Sequence, residues 1–146
     1  MNTRSSRGAL GAVFVVVLVD LLGFGIVLPL LPYYAARFDA SPLTVGLLYS
    51  VYSIAQLVSA PLWGAWSDRI GRRPIMLFGM AGSAVSYLIF AFAGSLQLLF
   101  ISRILAGIMG GNISAAQAYV ADVTAPSERA KGMGLIGAAF GIGFAL

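Results

Sequence analysis

GAWSDRIGRRP, Gly64 to Pro74, gathers Asp68, Arg69, Arg72 and Arg73 into six consecutive positions with apolar sequence on both sides. The chain around it is poor in charge: of 146 residues, 60% are hydrophobic and 10% charged, and the mean hydropathy is +0.93. Soluble domains carry roughly 25% charged residues, so this composition belongs to a membrane protein. About 20 apolar residues cross a bilayer as a helix, because lipid offers the backbone no hydrogen-bond partner. Four such runs, about 9–32, 43–66, 74–93 and 97–121, lie on either side of Gly64–Pro74. A fifth, 132–146, is apolar to the last residue but holds only 15, short of the roughly 20 that a full span needs. The expected fold is therefore all-α, a polytopic transmembrane helical bundle of four full spans and part of a fifth, and the chain looks truncated within the fifth helix. The connections are short and punctuated at Asp39–Pro42, Gly94–Ser95 and Ala125–Ser127, which predicts that sequential spans pack as antiparallel neighbours.

Charge placement then sets orientation. Basic residues are retained on the cytoplasmic side of a membrane. With the N-terminus inside, that side holds Arg4, Arg7, Arg69, Arg72, Arg73, Arg129 and Lys131, and the outside holds only Arg37. The N-terminus is expected in the cytoplasm, and the net charge of +4 reflects topology, not a nucleic-acid partner. A signal peptide is the competing reading of the first residues, but the apolar run is too long, carries Asp20 and lacks a small-residue cleavage site. With no cysteine and no histidine there is no disulfide framework, thiolate metal site or imidazole shuttle. No catalytic constellation, metal site or cofactor motif is present in the sequence, so proton chemistry falls to carboxylates.

A topological anchor needs arginines, but it needs neither an acid beside them nor glycines at fixed offsets. Gly64 permits close helix approach, Gly71 a tight turn, and Asp68 offers an acceptor to an arginine fork. The pattern Gly64-x-x-x-Asp68-Arg69-x-Gly71-Arg72-Arg73 resembles the signature loop between the second and third helices of the major facilitator superfamily at every defined position. Asp20-Leu-Leu-Gly-Phe-Gly-Ile-Val-Leu-Pro29-Leu-Leu-Pro32 is similar to the first helix of its drug/proton antiporters, and Arg103 followed by Gly107 resembles its intramembrane arginine and glycine. Ala106 stands where that family usually has a glutamine, which weakens a polar relay through this point. Asp122 with Pro126-Ser-Glu-Arg129 matches the loop after the fourth helix, and Gly137 to Gly143 resembles the approach to the fifth-helix antiporter signature, whose Gly-Pro lies beyond Leu146. The whole pattern looks closest to tetracycline-type exporters. The resemblance implies a twelve-helix transporter whose solute site lies between two halves, with this chain its N-terminal part and the C-terminal half missing. It also implies that Arg72 pairs with Asp122 while Asp68 faces the other half, making Gly64, Asp68, Arg69, Gly71, Arg72, Arg73 and Asp122 a conformational latch.

Two charged side chains fall inside spans, where an unpaired ion costs about 2.5–3.5 kcal/mol on insertion scales. Asp20 lies about 15 Å along its helix at 1.5 Å per residue, near mid-bilayer. It is the proton-coupling candidate, with a structural ion pair as the alternative. Arg103 cannot deprotonate; it either snorkels outward or points inward to hold an anion or carboxylate. The small residues Gly107, Gly110, Ser114 and Ala118 share its helix face and favour the inward reading. Tyr49, Tyr52, Gln56, Ala60 and Trp63 share one face of the second span. Tyr49, Tyr52, Gln56, Ser114 and Gln117 are the candidates for a solute cavity, with packing or interfacial anchoring as the alternative for the aromatic residues, Trp63 above all. Asn112 is a weaker candidate.

The expected function is secondary active transport in the cell membrane, as proton-coupled efflux of a small amphipathic compound or drug, a route to antibiotic resistance. A metabolite or sugar symporter or facilitator of the same superfamily is the alternative within transport. A non-transporting membrane scaffold is the alternative outside it, and an enzyme is not expected. The expected partners are the solute, protons, the lipid bilayer and the C-terminal half.

Overall fold

A computed structural model describes residues 3–145. The side chains of Arg4, Arg7 and Asn112, and Leu146 altogether, lie outside the described part. Helix α1 runs Thr3–Ala36, α2 Pro42–Ile70, α3 Arg72–Ala91, α4 Leu96–Met109, α5 Asn112–Val123 and α6 Arg129–Ala145, with a 3-10 turn at Pro126–Glu128. The starts of α2 and α4 follow from their caps: the hydroxyls of Ser41 and Ser95 accept from the backbone N–H groups of Thr44 and Leu98, both at 3.3 Å, and Pro42 fills the first helical position. Four stretches are long and apolar enough to cross a membrane: Val13–Ala36, Pro42–Ile70, Arg72–Ala91 and Leu96–Val123.

Two local expectations change. The Gly64–Pro74 stretch is helical except at Gly71, because α2 continues through Asp68 and Arg69 to Ile70 and α3 restarts at Arg72. The run 97–121, expected as one helix, is interrupted at Gly110–Gly111 and forms α4 and α5. Both glycines hold nearly helical φ of −66° with ψ of 3° and −7°, so the axis bends and does not reverse.

The packing order follows the sequential one only in part. Helices α3 and α4 pack closely as chain neighbours, but α2 packs most closely on α4, and α1 packs on α6, while α1 and α2 touch little despite their short connection. Short loops fix which ends lie near each other, but the approach of two helices depends on the residues at the contact. A Cβ at Gly107 would strike the Tyr52 carbonyl and the Ala55 side chain, and one at Gly111 would strike the Trp63 ring. The fourth span therefore presents bare backbone to α2.

The core divides in two. Val13, Val17, Leu21, Trp63, Ile75, Met76, Ala116, Val120 and Ala139 cluster toward the end that carries Gly71. Val27, Leu31, Ala35, Leu48, Phe90 and Leu99 cluster toward the opposite end. Buried Asp20, Ser83, Ser86, Ser102 and Arg103 lie in a polar layer along the middle of the helices. The outward faces of the spans carry large exposed apolar side chains such as Val15, Ile26, Leu57, Phe78 and Leu88, which suits contact with lipid.

Both α1–α2 and α3–α4 connections emerge at one end, and Gly71 and the 3-10 turn at the other. Ser127 and Gly94 are exposed, and a Cβ at Gly94 meets open space. The basic asymmetry therefore generates a topology test in a chain without native cysteine. A single cysteine at Gly94 should label with an impermeant thiol reagent in intact cells, and one at Ser127 only after permeabilisation; the reverse pattern would invert the orientation.

Candidate functional site

A cavity of about 250 Å³ opens between α1, α2, α3 and the bend of the fourth span, with Phe140 of α6 at its edge. Asp20 lies on its wall and is 9% exposed. Ser83 of α3 stands beside its carboxyl, within hydrogen-bonding reach. Phe24, one turn along α1 from Asp20, stacks on Tyr52 at 5.0 Å between ring centroids, and Gln56 Nε2 donates to the Gly110 carbonyl at 3.3 Å. The Tyr87 hydroxyl donates to the backbone carbonyl of Asp20 at 3.1 Å, and a Cβ at Gly23 would run into the Tyr87 ring at 2.7 Å from Cζ. That glycine lets α3 bring Tyr87 against α1.

Of the residues expected to line a cavity, Tyr52 and Gln56 do. Tyr49 is turned to another task. Pro32 has no N–H to give the carbonyl four residues back, that of Leu28, and the Tyr49 hydroxyl donates to it at 2.6 Å. Ser114 and Gln117 lie beyond the bend, exposed and off the cavity wall. Trp63, weighed as an interfacial anchor, is buried at 4% exposure, and its indole N–H donates to the Ile108 carbonyl. Sequence reasoning missed Ser83 and Tyr87. Their signal was a polar pair four residues apart within an apolar span, which places both on one helix face.

Arg103 points inward and is 2% exposed. Its guanidinium lies over the Phe90 ring, 5.0 Å from the centroid, and its Nε and Nη2 have no hydrogen-bond partner among the described residues. Asp20 and Arg103 form no ion pair among the described residues, whose ion pairs are both made by Arg72. Tyr52 and Tyr87 lie within electrostatic reach of both charges. The two intramembrane charges thus face a shared pair of phenols, not each other.

At the end that carries Gly71, Arg72 distributes its fork over three acceptors. Nη2 meets Asp68 Oδ1 at 2.6 Å, Nε meets Asp122 Oδ2 at 3.0 Å, and Nη1 donates to Ser67 Oγ, whose hydroxyl donates to the Gly64 carbonyl at 2.8 Å. Asp68 and Asp122 are 63% and 57% exposed, so each pair contributes no more than about 1 kcal/mol. Their value is geometric: α2, α3 and α5 are joined through one side chain. Arg69 and Arg73 are exposed and take no part in these ion pairs.

The Major Facilitator Superfamily profile matches residues 13–146. The class B tetracycline resistance protein of Escherichia coli is 39% identical over 132 residues, covering 88% of this chain and 33% of that protein. The class D tetracycline resistance protein of Salmonella ordonez is 41% identical over 133 residues, covering 88% and 34%. Major facilitator superfamily domain-containing protein 10 of Bos taurus is 41% identical over 163 residues, covering 92% and 36%. The chain spans about one third of the length of these relatives.

The two glycines of the loop motif separate by cause. Gly71 has φ 107° and ψ 151°, a conformation that side chains rarely adopt, whereas a Cβ at Gly64 meets open space. Gly71→Ala should therefore destabilise the fold by about 1–3 kcal/mol, whereas Gly64→Ala should stabilise it, by no more than roughly 1 kcal/mol, the full range of helix propensity. Thermal unfolding of the purified variants in detergent checks both; equal loss at the two positions would contradict the backbone account.

Proposed function

Because the chain belongs to the Major Facilitator Superfamily, we propose that it is the N-terminal part of a secondary active transporter that exports a small amphipathic compound or drug from the cell in exchange for protons. It is a transporter segment, not an enzyme. The missing C-terminal half would complete the solute pathway, and the N-terminus would face the cytoplasm from the cell membrane. Alternating access to a site between two halves is how such folds move solutes.

The observation that carries the reading is Asp20 on the wall of a cavity that it shares with aromatic rings, aliphatic side chains and the polar groups of Gln56 and Ser83. An ionised Asp20 attracts a donor group or positive charge on a solute whose flat apolar part lies along Phe24 and Tyr52. A protonated Asp20 does not. Proton and solute then compete for one carboxyl, and competition at a single site couples opposite fluxes, since each crossing carries one or the other. The Ser83 hydroxyl stands beside the carboxyl, and Tyr87 ties the backbone of Asp20 to α3. The tetracycline resistance proteins among the relatives support a drug as cargo.

The sign of the pH effect follows from this competition: solute binding strengthens as pH rises and Asp20 ionises. Asp20→Asn keeps the shape and cannot titrate. With tetracycline as the probe and the full-length transporter in proteoliposomes, the variant should lose solute-driven proton movement by about tenfold or more, one unit of log rate being about 1.4 kcal/mol. Its residual tetracycline binding should no longer vary with pH. Unchanged coupling would move the proton site to the other half. Native transport of tetracycline that ignores an imposed proton gradient would make the protein a facilitator.

A further inference from the structure

The last carbonyls of a helix have no partners within it, and in a bilayer they must find donors elsewhere. At the end of α4 three carbonyls meet side-chain donors of one neighbour. Trp63 Nε1 donates to Ile108 O and Gln56 Nε2 to Gly110 O at 3.3 Å, while Ser59 Oγ lies between Gln56 O of its own helix at 3.3 Å and Gly107 O at 3.4 Å, which also accepts from the Gly110 N–H at 3.3 Å. Residues 56, 59 and 63 are spaced by three and four and so form one stripe of α2. They reach the backbone because the facing positions are glycine: a Cβ at Gly111 would occupy the space of the Trp63 ring, and one at Gly110 would lie 3.1 Å from Gln56 Nε2.

We propose that Trp63 is a positioning residue for the cavity, holding the fourth span bent at Gly110–Gly111. Its indole N–H occupies the Ile108 carbonyl, which a continuous helix would bond to the N–H of Asn112. The bend is thus kept by a competitor for a backbone bond. Ala106 and Gly110 flank the bend and line the cavity beside Gln56, whereas Trp63 itself is buried among Trp66, Phe78 and the fourth span, off the cavity wall. Without the indole donor, the Ile108 carbonyl pairs with the Asn112 N–H, the span straightens, and Gly110 leaves Gln56. The wall opposite Asp20 changes shape although no lining residue has been altered. The effect on solute binding rests on the cavity being the solute site proposed above; the effect on the bend does not.

Trp63→Phe keeps an aromatic ring and removes the donor, Trp63→Leu removes it with a different shape, and Trp66→Phe alters the neighbouring exposed ring as a control. In the full-length transporter, hydrogen exchange of the 111–114 amides should slow by about fivefold or more in both Trp63 variants as helical bonds form, and should be unchanged in Trp66→Phe. Unchanged or faster exchange in the Trp63 variants overturns the proposal. With tetracycline as the probe, KM should rise about fivefold while the maximal rate per folded transporter stays within about twofold, the pattern of lost binding and not of lost folding. A fallen rate with native KM also overturns it. If the native transporter does not move tetracycline, the cargo reading fails, and the exchange experiment still decides whether Trp63 holds the bend.

Discussion

The close approach of α2 to the fourth span is the constraint from which the rest of the structure follows. At Gly107 the two helices meet backbone to side chain, with no room for a methyl group between the Tyr52 carbonyl and the Ala55 side chain. In a bilayer, contacts of this kind replace the hydrophobic effect, since lipid is as apolar as the side chains it displaces. Bringing the helices this close sets α2 donors opposite the interruption at Gly110–Gly111, and Gly110 there lines the cavity. Neither the close contact nor the bend would survive larger side chains at these glycines.

The same shortage of donors explains several features that otherwise look unrelated. Pro32 frees the Leu28 carbonyl, and Tyr49 reaches across from α2 to bond it. Buried Ser86 and Ser102 donate to the carbonyls of Ser83 and Leu99 three residues back, both at 2.7 Å, and so bring no unmet hydroxyl into the interior. Arg103 is the exception. Its guanidinium lies on Phe90 with two nitrogens unpartnered, and a buried cation in that condition costs free energy that a neutral side chain would not.

Arg72 does at one end of the molecule what the glycines do at its centre. The restart of the chain at Gly71, possible because that residue accepts a positive φ, turns Arg72 back toward α2 and across to α5. Exposed ion pairs contribute little stability, so this junction fixes which residues meet at that end more than it stabilises the fold.

Composition and the spacing of apolar runs were enough to determine an all-helical membrane protein, because the bilayer admits few other solutions for a chain this apolar. The motif from Gly64 to Arg73 identified the family, and the pairing of Arg72 with Asp122 implied by that resemblance is present at 3.0 Å. Tyr52 and Gln56 were legible as cavity residues from their shared helix face, and Asp20, read as a proton-coupling candidate, lies on the same cavity wall. Which helices touch was not legible, because loop length limits the position of helix ends and says nothing about close approach along their faces. Nor could periodicity show that the fourth run bends, since glycine is compatible with a continuous helix and it takes donors on a neighbour to make the bend favourable. Tyr49 and Trp63 share a sequence face with Tyr52 and Gln56, yet one satisfies a proline-freed carbonyl and the other a helix-end carbonyl; only tertiary structure assigns such tasks, because the acceptor lies on a different helix.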